Sequence, residues 1–395
     1  MDRDQALDAA RSVAATAAEY GDETERGRRL APPVAAAIEA SGLNRLVSPR
    51  EIGGFAASPV TLCEVVEEIS RGDASTGWCL GIGMGTNFMS GLITEAAAKE
   101  TFTDLDKGGA GPFAPTGRAD VAGDGYRVGG RWPYSSNCQH AAVAAAGVIA
   151  FADGKPANVL ASGMPKFELA FLTRDQFDID ETWNTVGMRG TGSHDIVATD
   201  AEMSRERTCT LFDDMWPDDA LFRLRSFDVL GPCLGIVPAG IGRAALDVVA
   251  RKAVADAAGP PVMGPRPKLA DDQHGQLEFA RAEIRLRSAR AMLLEALENS
   301  YSIAVDGDTP PRSATAVIGM AIYEVFHAAN QAVTTAIGLL GSAAIREGAP
   351  LDRLRRDLDT AGTHIMLRPG ITANLARELA GIPTFAFPFL PPPPE

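Results

Sequence analysis

Aromatic rings, hydroxyls and an amide follow one another in the stretch 129–140, near the middle of the chain. Trp132 and Tyr134 precede Ser135 and Ser136, so flat rings stand beside two hydroxyl groups. Such a wall suits a planar ligand that is apolar on its faces and polar along its edges. A strand end followed by ordinary turn residues has the same composition, so the local pattern leaves both interpretations open.

A second stretch, 183–194, combines Trp183 with small and polar residues. The two stretches together resemble the flavin-binding segments of the acyl-CoA dehydrogenase fold. More narrowly, they resemble its flavin-dependent monooxygenase branch, the oxygenase components of two-component aromatic hydroxylases. The resemblance implies a reduced FMN or FAD cofactor, bound by Trp132, Ser135, Ser136, Trp183, Arg189, Thr191, Ser193, Gly338 and Gly341. A tryptophan is usually a core residue, and this alternative stays open for Trp132 and Trp183.

Ser136 is the hydroxyl that the resemblance places at the N5 edge of the flavin. In the resembling oxygenases, a reduced flavin binds dioxygen as a C4a-peroxide, which decays unless N5 stays protonated and water is excluded. A neutral hydroxyl fixed in an apolar wall suits that task. Ser136 lies nearer the turn than Ser135, which favours it for this role. The alternative is an ordinary solvated turn serine.

His364 follows a segment that carries part of the same resemblance. Residues 338–342 and 350–357 look like the family's Gly-Gly-x-Gly segment and its Pro-Leu-x-Arg and Arg-Asp signature. His364 lies seven residues beyond Asp357, which predicts two helical turns with both side chains on one face. The resemblance implies that His364 sits over the substrate and removes a phenolic proton, for which imidazole has a suitable pKa. A lone histidine on a helix is also commonly structural.

The first part of the chain must position residues that face the substrate. Residues 1–110 have apolar positions at helical spacing, and Ser58-Pro59 predicts a helix start. We expect Trp78 and Asn87, on a glycine-rich helix, and Phe113, in the segment that follows, to line the substrate pocket. Tight helix packing would explain the glycines equally well.

The middle part, 111–212, changes to a period of two, which predicts a compact antiparallel β domain. A tight turn at Asp124-Gly125 is expected before the strand that contains Trp132. Strands are predicted at Tyr126–Tyr134, Ala141–Phe151, Phe167–Thr173, Phe177–Trp183 and Asp195–Met203.

The last part, 213–395, returns to helical periodicity and predicts a four-helix bundle followed by a proline-rich tail. One long helix is expected to follow Leu230-Gly231-Pro232 and run through Val249, and two more are expected at 276–298 and 314–340. The proline-rich composition of the tail predicts either an extended arm that lies over a neighbouring surface or a frayed end. Helices, then strands, then a helical bundle give an α+β fold class, and this is the order found in the acyl-CoA dehydrogenase fold.

Charge and composition limit the partners. The chain has 37 basic and 51 acidic residues, a net charge of −14, which argues against binding to nucleic acid or anionic membranes. The longest apolar run, 141–152, is too short to span a membrane, and the N-terminus lacks a signal-peptide pattern, so we expect a cytoplasmic protein. Five scattered cysteines predict neither a disulfide framework nor a metal site.

The resulting hypothesis is a reduced-flavin-dependent monooxygenase that transfers one oxygen atom from O2 to a small aromatic or other electron-rich substrate. The glycine-rich segment 240–245 lacks the strand that a nicotinamide site needs, so a separate flavin reductase is expected to supply the cofactor. The resemblance also implies a homotetramer.

Two alternatives to the monooxygenase hypothesis remain. An acyl-CoA dehydrogenase would need a carboxylate base, which is not evident near residues 224 or 365–370. The other is a non-catalytic flavin-fold binding protein.

Overall fold

The N-terminal part of the computed structural model is helical. The structure describes residues 1–160, 163–259, 268–344 and 346–393. The N-terminal helices are α1 (Arg3–Glu19), α2 (Gly21–Gly27), α3 (Pro32–Ser41), α4 (Pro59–Gly72), α5 (Ala74–Phe88) and α6 (Glu95–Thr101). Helix α4 begins after Ser58, whose hydroxyl accepts the Thr61 N–H at 3.3 Å, so the predicted helix start is confirmed.

Helix α5 brings residues of this part to the centre of the molecule. Asp73 caps it by accepting the Thr76 N–H at 2.8 Å, and nearly all of its side chains are buried. A side chain at Gly81 would collide with the Cys233 carbonyl. The glycines of α5 therefore let it approach a C-terminal helix closely, and this packing fixes the position of Trp78 on the same helix.

The middle part forms one sheet. Its strands are β1 (Gly109–Ala110), β2 (Gly117–Ala122), β3 (Gly125–Ser135), β4 (Val143–Ala152), β5 (Lys155–Pro156), β6 (Phe167–Thr173), β7 (Asp178–Asp180), β8 (His194–Ser204) and β9 (Thr208–Cys209). The order is β7-β8-β3-β2-β4-β6-β9, with β1 and β5 also paired to β4. Most pairings are antiparallel, as predicted, whereas β1 and β2 each pair with β4 in parallel.

The strand bounds differ from the prediction where the chain turns. Strand β6 has the predicted bounds, but β7 ends at Asp180 because Thr182 folds back and donates its N–H to the Asp180 carbonyl. The turn before β3 lies at Gly123-Asp124 instead of Asp124-Gly125. Gly123 takes the positive φ of +57° that the turn requires, and Gly125 already pairs within the sheet.

The C-terminal part is helical again. Its helices are α7 (Ser226–Gly235), α8 (Val237–Ala258), α9 (Gln273–Val305), α10 (Arg312–Leu340), α11 (Pro350–Ala361) and α12 (Pro369–Leu379). The helix predicted to follow Leu230-Gly231-Pro232 begins earlier, at Ser226, and contains Pro232. It is divided into α7 and α8, because Pro238 has no N–H to donate to the Leu234 carbonyl. Helix α10 is surrounded by the bundle, where Ile318, Ile322 and Val333 are completely buried.

One helical stretch of the described residues, Ser226–Ala258, is long and apolar enough to cross a membrane by length and composition. Most of it is buried inside the helical bundle. The core helix of a folded domain meets the same two criteria, because an interior helix needs apolar residues on every face.

The C-terminal tail packs against its own chain as far as residue 390. Phe389 and Leu390 are completely buried, and the Phe389 ring meets the Phe227 ring of α7 with 5.5 Å between centroids. The predicted frayed end is therefore wrong for this part of the tail, because Phe389 and Leu390 are buried against the rest of the chain. Residues 394–395 lie outside the described residues.

Candidate active site

A cavity of about 970 Å³ lies where helix α5, one end of the sheet and the C-terminal bundle meet. This volume is at the upper end of the range for small-molecule sites, so it can hold a large planar group together with a small second ligand. Seven of the predicted site residues line it: Trp78, Phe113, Ser136, Trp183, Thr191, Ser193 and His364. The remaining wall is mainly apolar.

Hydroxyl groups form a chain along one wall of the cavity. The indole N–H of Trp78 donates to Ser136 Oγ at 3.2 Å. Ser136 Oγ lies 2.7 Å from Ser193 Oγ, which lies 2.6 Å from Thr191 Oγ1. The Thr191 hydroxyl donates to the Met188 carbonyl at 2.8 Å, so Thr191 must accept from Ser193, and Ser193 from Ser136. The hydroxyl proton of Ser136 is therefore used in the hydrogen bond to Ser193. Towards the cavity, Ser136 can only accept a hydrogen bond.

The Trp183 ring forms a rigid part of the cavity wall, because hydrogen bonds hold both its backbone and its indole ring. Its backbone N–H donates to His194 Nδ1 at 3.0 Å, and its indole N–H donates to the Met188 carbonyl at 3.0 Å. The Tyr134 ring stands perpendicular to it, with 6.3 Å between centroids. His194 does not line the cavity, and burial lowers its pKa, so it acts as a neutral support for Trp183.

His364 lines the cavity from the C-terminal part of the chain. Its ring meets the Trp78 ring edge to face, with 5.5 Å between centroids. Burial lowers the pKa of His364 to about 4, so the imidazole is neutral at neutral pH. Its Nδ1 accepts the Met366 N–H at 3.5 Å, the long limit of a hydrogen bond. Such a weak contact leaves the tautomer free to change, so the imidazole can accept a proton from a ligand hydroxyl or donate to it.

Asp357 does not line the cavity but holds part of its wall through a hydrogen bond. It is completely enclosed, and its Oδ1 accepts the Met188 N–H at 2.5 Å. Burial raises its pKa to about 7, and the nearby Asp73 adds to the rise. The prediction that Asp357 and His364 share one helical face is wrong, because α11 ends at Ala361 and His364 begins a separate 3-10 turn. Asp357 holds the turn at Met188, while His364 faces the cavity.

Three predicted site residues face away from the cavity. Trp132 is completely buried within the sheet, where its indole N–H donates to the Gly147 carbonyl at 2.6 Å. Ser135, the last residue of β3, is also completely buried, whereas Ser136 lies in the turn that follows and lines the cavity. Asn87 uses its amide to bind the carbonyls of Asn44 and Leu105. None of the three lines the cavity of this chain, and their predicted roles in binding stay predictions.

Three more predicted cofactor residues lie outside the cavity of this chain. The Arg189 guanidinium donates to the Thr185 carbonyl at 2.7 Å and braces the segment 183–193. Gly338 and Gly341 lie at the surface end of α10. A role of these residues in cofactor binding stays a prediction.

The sequence reasoning missed two parts of the cavity wall. Arg368 follows His364 by four residues, and the tail contributes Phe385 and Phe387. The alternation of phenylalanines at 385, 387 and 389 is a period-two signal for a packed extended segment, and it was available in the sequence.

The donors and acceptors of the cavity fit a reduced flavin. The ring edge of that cofactor carries N–H groups, which match the free lone pair of Ser136. Its flat faces match the fixed ring of Trp183. Within the described residues, no group of three or more His, Cys, Asp or Glu side chains could hold a metal ion.

Carboxylates are absent from the cavity wall formed by the described residues. Asp228, the acid closest in sequence to the position where a dehydrogenase would carry a base, is completely buried on another side of α7. Burial raises its pKa to about 6. The wall thus lacks the group that would remove a proton from carbon in an acyl thioester.

Comparison with known proteins identifies the family. The model for the acyl-CoA dehydrogenase N-terminal domain matches residues 2–103, and the model for the acyl-CoA dehydrogenase C-terminal domain matches residues 233–369. Indole-3-acetate monooxygenase of Pseudomonas putida is 32% identical over 345 residues, which cover 87% of this chain and 86% of that protein.

Two further relatives carry a flavin in their names. The oxygenase component of the FADH2-dependent resorcinol hydroxylase of Rhizobium sp. (strain MTP-10005) is 27% identical, covering 87% of this chain and 86% of that protein. The structure of XiaF from Streptomyces sp. in complex with FADH2 and glycerol has a TM-score of 0.87 and 25% identity, covering 99% of this chain and 97% of that chain. This chain therefore belongs to the acyl-CoA dehydrogenase superfamily and, within it, to the oxygenase components of flavin-dependent monooxygenases.

Proposed function

We propose that this oxygenase transfers one atom of O2 to a small aromatic substrate inside the cavity, with Ser136 and His364 as catalytic residues. One observation carries the proposal: Ser136, Trp183 and His364 come from three separate segments and line one cavity. In the reaction, one oxygen atom enters the product and the other becomes water. The two electrons and two protons that this requires come from the reduced flavin.

Each catalytic residue has a defined task. When bound, the reduced flavin supplies the electrons that activate dioxygen. Ser136 accepts an N–H of the flavin edge, since its own proton is held by Ser193. His364, neutral at neutral pH, accepts the proton of a substrate hydroxyl and thereby makes the ring more electron-rich. The apolar wall around them excludes water, which preserves the reactive oxygen for transfer.

The aromatic wall supports a flat substrate. Trp78, Phe113 and Phe227 line the same cavity as His364, and such rings bind a planar ring with a larger contact area than a flexible acyl chain would use. The missing carboxylate base disfavours acyl-CoA oxidation. A binding protein without activity would have no need for a neutral histidine in the same cavity as the Ser136 hydroxyl.

The proposed cofactor is reduced FAD, delivered by a separate reductase. Two relatives named above have FADH2 in their names, which supports FAD over FMN. Anaerobic titration with each reduced flavin tests this choice. We expect reduced FAD to bind more tightly, and tighter binding of reduced FMN would contradict it.

The proposed assembly is a homotetramer in the cytoplasm. Leu277 and Ile284 are exposed and lie two turns apart on one face of α9, which suits a contact with a second copy. Gly338 and Gly341 would then stand where a neighbouring copy could bring its flavin. Light scattering should show four times the mass of one chain, and cell fractionation should find the protein in the soluble fraction.

Turnover with labelled oxygen tests the function. The protein, a flavin reductase, NADH and FAD are incubated under ¹⁸O2 with a panel of phenols, indoles and aromatic acids, and products are analysed by mass spectrometry. We expect one ¹⁸O atom in a product. If reduced flavin binds but every compound of the panel is recovered unchanged, the non-catalytic alternative is supported. Bleaching of bound oxidised FAD by an acyl-CoA would instead support the dehydrogenase.

A further inference from the structure

One face of helix α5 forms part of the cavity wall. Trp78, Gly81, Ile82, Gly85 and Thr86 line the cavity, and their spacing of three and four positions places them on one side of the helix. Thr86 follows Trp78 by eight positions, which is roughly 12 Å along the helix axis. The two side chains therefore lie at different ends of this face.

The end of the face at Thr86 is apolar apart from the Thr86 hydroxyl. The methyl group of Thr86 packs against strand β1, because a Cβ added at Gly109 would lie 2.3 Å from Thr86 Cγ2. The segment 111–113, which continues from β1, lines the cavity together with Leu230. None of these neighbours carries a polar side chain. The opposite end of the face, in contrast, contacts the hydroxyl of Ser136.

The Thr86 hydroxyl has no hydrogen-bond partner among the described residues, although the residue is only 1% exposed. One turn further, the Ser90 hydroxyl donates to the Asn87 carbonyl at 2.6 Å. The Thr101 hydroxyl also lacks a partner, but protein atoms enclose it completely. The Thr86 oxygen is not enclosed in this way, and because the residue lines the cavity, its open side faces the cavity. A ligand can therefore supply the missing hydrogen bond.

We propose that Thr86 is a specificity-determining residue, whose hydroxyl binds a hydrogen-bonding group of the substrate on the side away from His364. The inference rests on the proposed function and specifies the substrate class of that site. This class consists of elongated aromatic compounds with one polar group beside His364 and a second polar group at Thr86. A buried hydroxyl that pairs with a substrate group rejects an analogue without that group, because the hydroxyl is then left unpaired.

A polar edge of the flavin ring is the other group that could reach Thr86. The substrate is favoured because the proposed flavin contacts are Ser136 and Trp183, and Ser136 bonds to Trp78 at the opposite end of the α5 face. Between the two ends, two of the three lining residues of α5 are glycines, which leave space for a flat ring.

Binding of matched diols and mono-alcohols tests the proposal. Naphthalene-2,6-diol is compared with 2-naphthol, and biphenyl-4,4′-diol with 4-phenylphenol, so that each pair differs only in the distal hydroxyl. Each compound is titrated without oxygen into the protein loaded with reduced FAD, which prevents turnover. We expect the wild type to bind at least one diol more tightly than its partner. Thr86→Val should weaken that diol by about threefold to tenfold, as expected for one neutral hydrogen bond, and change the mono-alcohol less than about twofold.

Thr101→Val is the matched control, since it also replaces a buried, unpartnered hydroxyl by a methyl group, but outside the cavity. This variant should keep the preference for the diol. Thr86→Ser retains the hydroxyl and should keep the preference as well. Loss of the preference in Thr86→Ser would assign the effect to the methyl group and would contradict the proposal.

Thermal unfolding of the ligand-free protein separates a ligand-binding role of Thr86 from a structural one. Valine has the shape of threonine without a hydroxyl that needs a partner, so Thr86→Val should raise the Tm, by on the order of 1 °C. A decrease of the Tm by several degrees would mean that the hydroxyl is bonded within the protein, and would refute the proposal.

Three binding results would also overturn the proposal. The wild type could bind neither diol more tightly than its partner, or Thr86→Val could weaken both members of a pair equally. Thr86→Val could also weaken reduced FAD while the preference for the diol persists, which would place the flavin edge at Thr86. Failure of the monooxygenase function is distinguishable from these results, because a protein without turnover can still show the diol preference and its loss in Thr86→Val.

Discussion

The hydroxyls of Ser136 and Ser193 are 2.7 Å apart, and the direction of their hydrogen bond is determined by its neighbours. Ser136 accepts a hydrogen bond from the indole N–H of Trp78, while the Ser193 hydroxyl donates a hydrogen bond to Thr191. Ser136 must therefore donate to Ser193 and can only accept from a ligand. A reduced flavin presents an N–H at its ring edge and an oxidised flavin presents a bare nitrogen there. If that edge binds at Ser136, as proposed above, we expect the cavity to bind reduced flavin more tightly than oxidised flavin.

Ser193→Ala should reduce this discrimination. Without Ser193, the Ser136 proton is free to turn into the cavity, where it favours the bare nitrogen of oxidised flavin. The ratio of oxidised-flavin to reduced-flavin dissociation constants should fall by about threefold to tenfold, the range expected for one neutral hydrogen bond. Anaerobic and aerobic titrations measure the two constants. Thr191→Ser keeps the chain of hydroxyls and is the control, and an equal change in both constants for Ser193→Ala would refute the directional chain.

His364→Ala should uncouple flavin oxidation from product formation. Flavin oxidation by O2 should continue while the rate of hydroxylation of a phenolic substrate falls by about 10²- to 10⁴-fold, the range for loss of a general base. Product and hydrogen peroxide measured in the same reaction check this. An unchanged ratio of product to peroxide would exclude a role of His364 in the transfer.

The pH dependence of turnover should reflect the buried state of His364. Its pKa is lowered from 6.5 to about 4, so the neutral form persists as the pH falls until about 4. A rate limitation from protonation of His364 should therefore appear below pH 5 and not near pH 6.5. The measurement is kcat/KM between pH 4.5 and 8 with a substrate that does not titrate in this range. An acidic limb centred near pH 6.5 that disappears in His364→Asn would contradict the buried neutral imidazole.

Asp357 should make the protein less stable as the pH rises towards neutral. Its pKa is raised from 3.8 to about 7 in the folded state, so the folded protein binds this proton more tightly than the unfolded chain. The free energy of unfolding should then decrease from about pH 4 to pH 7 and become independent of this group above that. Asp357→Asn, which can still accept the Met188 N–H, should lose part of this decrease.

Thermal unfolding between pH 4 and 8 checks the role of Asp357. At pH 8 the Tm of Asp357→Asn should exceed that of the wild type by on the order of 2 °C, while the difference should vanish near pH 4. Asp359→Asn, an exposed neighbour on α11, serves as the control. A constant difference across the pH range would show that proton binding by Asp357 is not the cause.

Arg312 should control how well the tail closes the cavity. It pairs with Glu378 and donates to the Thr384 and Pro391 carbonyls, on both sides of the segment that carries Phe385 and Phe387. Arg312→Gln removes charge-assisted hydrogen bonds worth about 2 kcal/mol each. The tail should then leave the cavity more often, water should enter, and more O2 should become hydrogen peroxide.

The fraction of consumed O2 released as peroxide measures this effect. Deletion of residues 384–395 should raise the fraction further than Arg312→Gln, and Arg377→Gln should leave it unchanged. An increase in Arg312→Gln without any increase in the deletion variant would mean that Arg312 acts on the bundle and not on the tail.

The sequence predicted helices and strands well where one hydrophobic period runs through the whole element. Strand β6 was predicted with its observed bounds, since five of its seven residues are apolar and turn signals lie on both sides. The break between α7 and α8 was missed because Pro238 lies near the start of a helix, where proline is tolerated, and the apolar period continues across it. Trp132 was placed in the cavity although its alternation with Val128 and Gly130 already predicted the inner side of the sheet.

The site itself was predictable only in part. The hydroxyl and aromatic residue types of 129–140 and 183–194, together with His364, indicated a flavin oxygenase by their resemblance to a family. Which of two adjacent serines faces the ligand depended on where strand β3 ends and the chain turns, which is a property of backbone geometry. Arg368 had no local signal, since an arginine at the start of a helix is usually solvated.

The sequence by itself determined the order of helices and strands, the residue types of the site and the family, because periodicity and motif are properties of neighbouring residues. Only the tertiary structure decided that Ser136, Trp183 and His364 share one cavity, that Arg368 is the cation on its wall and that the tail closes it. These residues are separated by up to 232 positions in the chain, and their distances are set by packing of the sheet against the bundle. Packing depends on the shapes of side chains from many elements at once, which no local pattern contains.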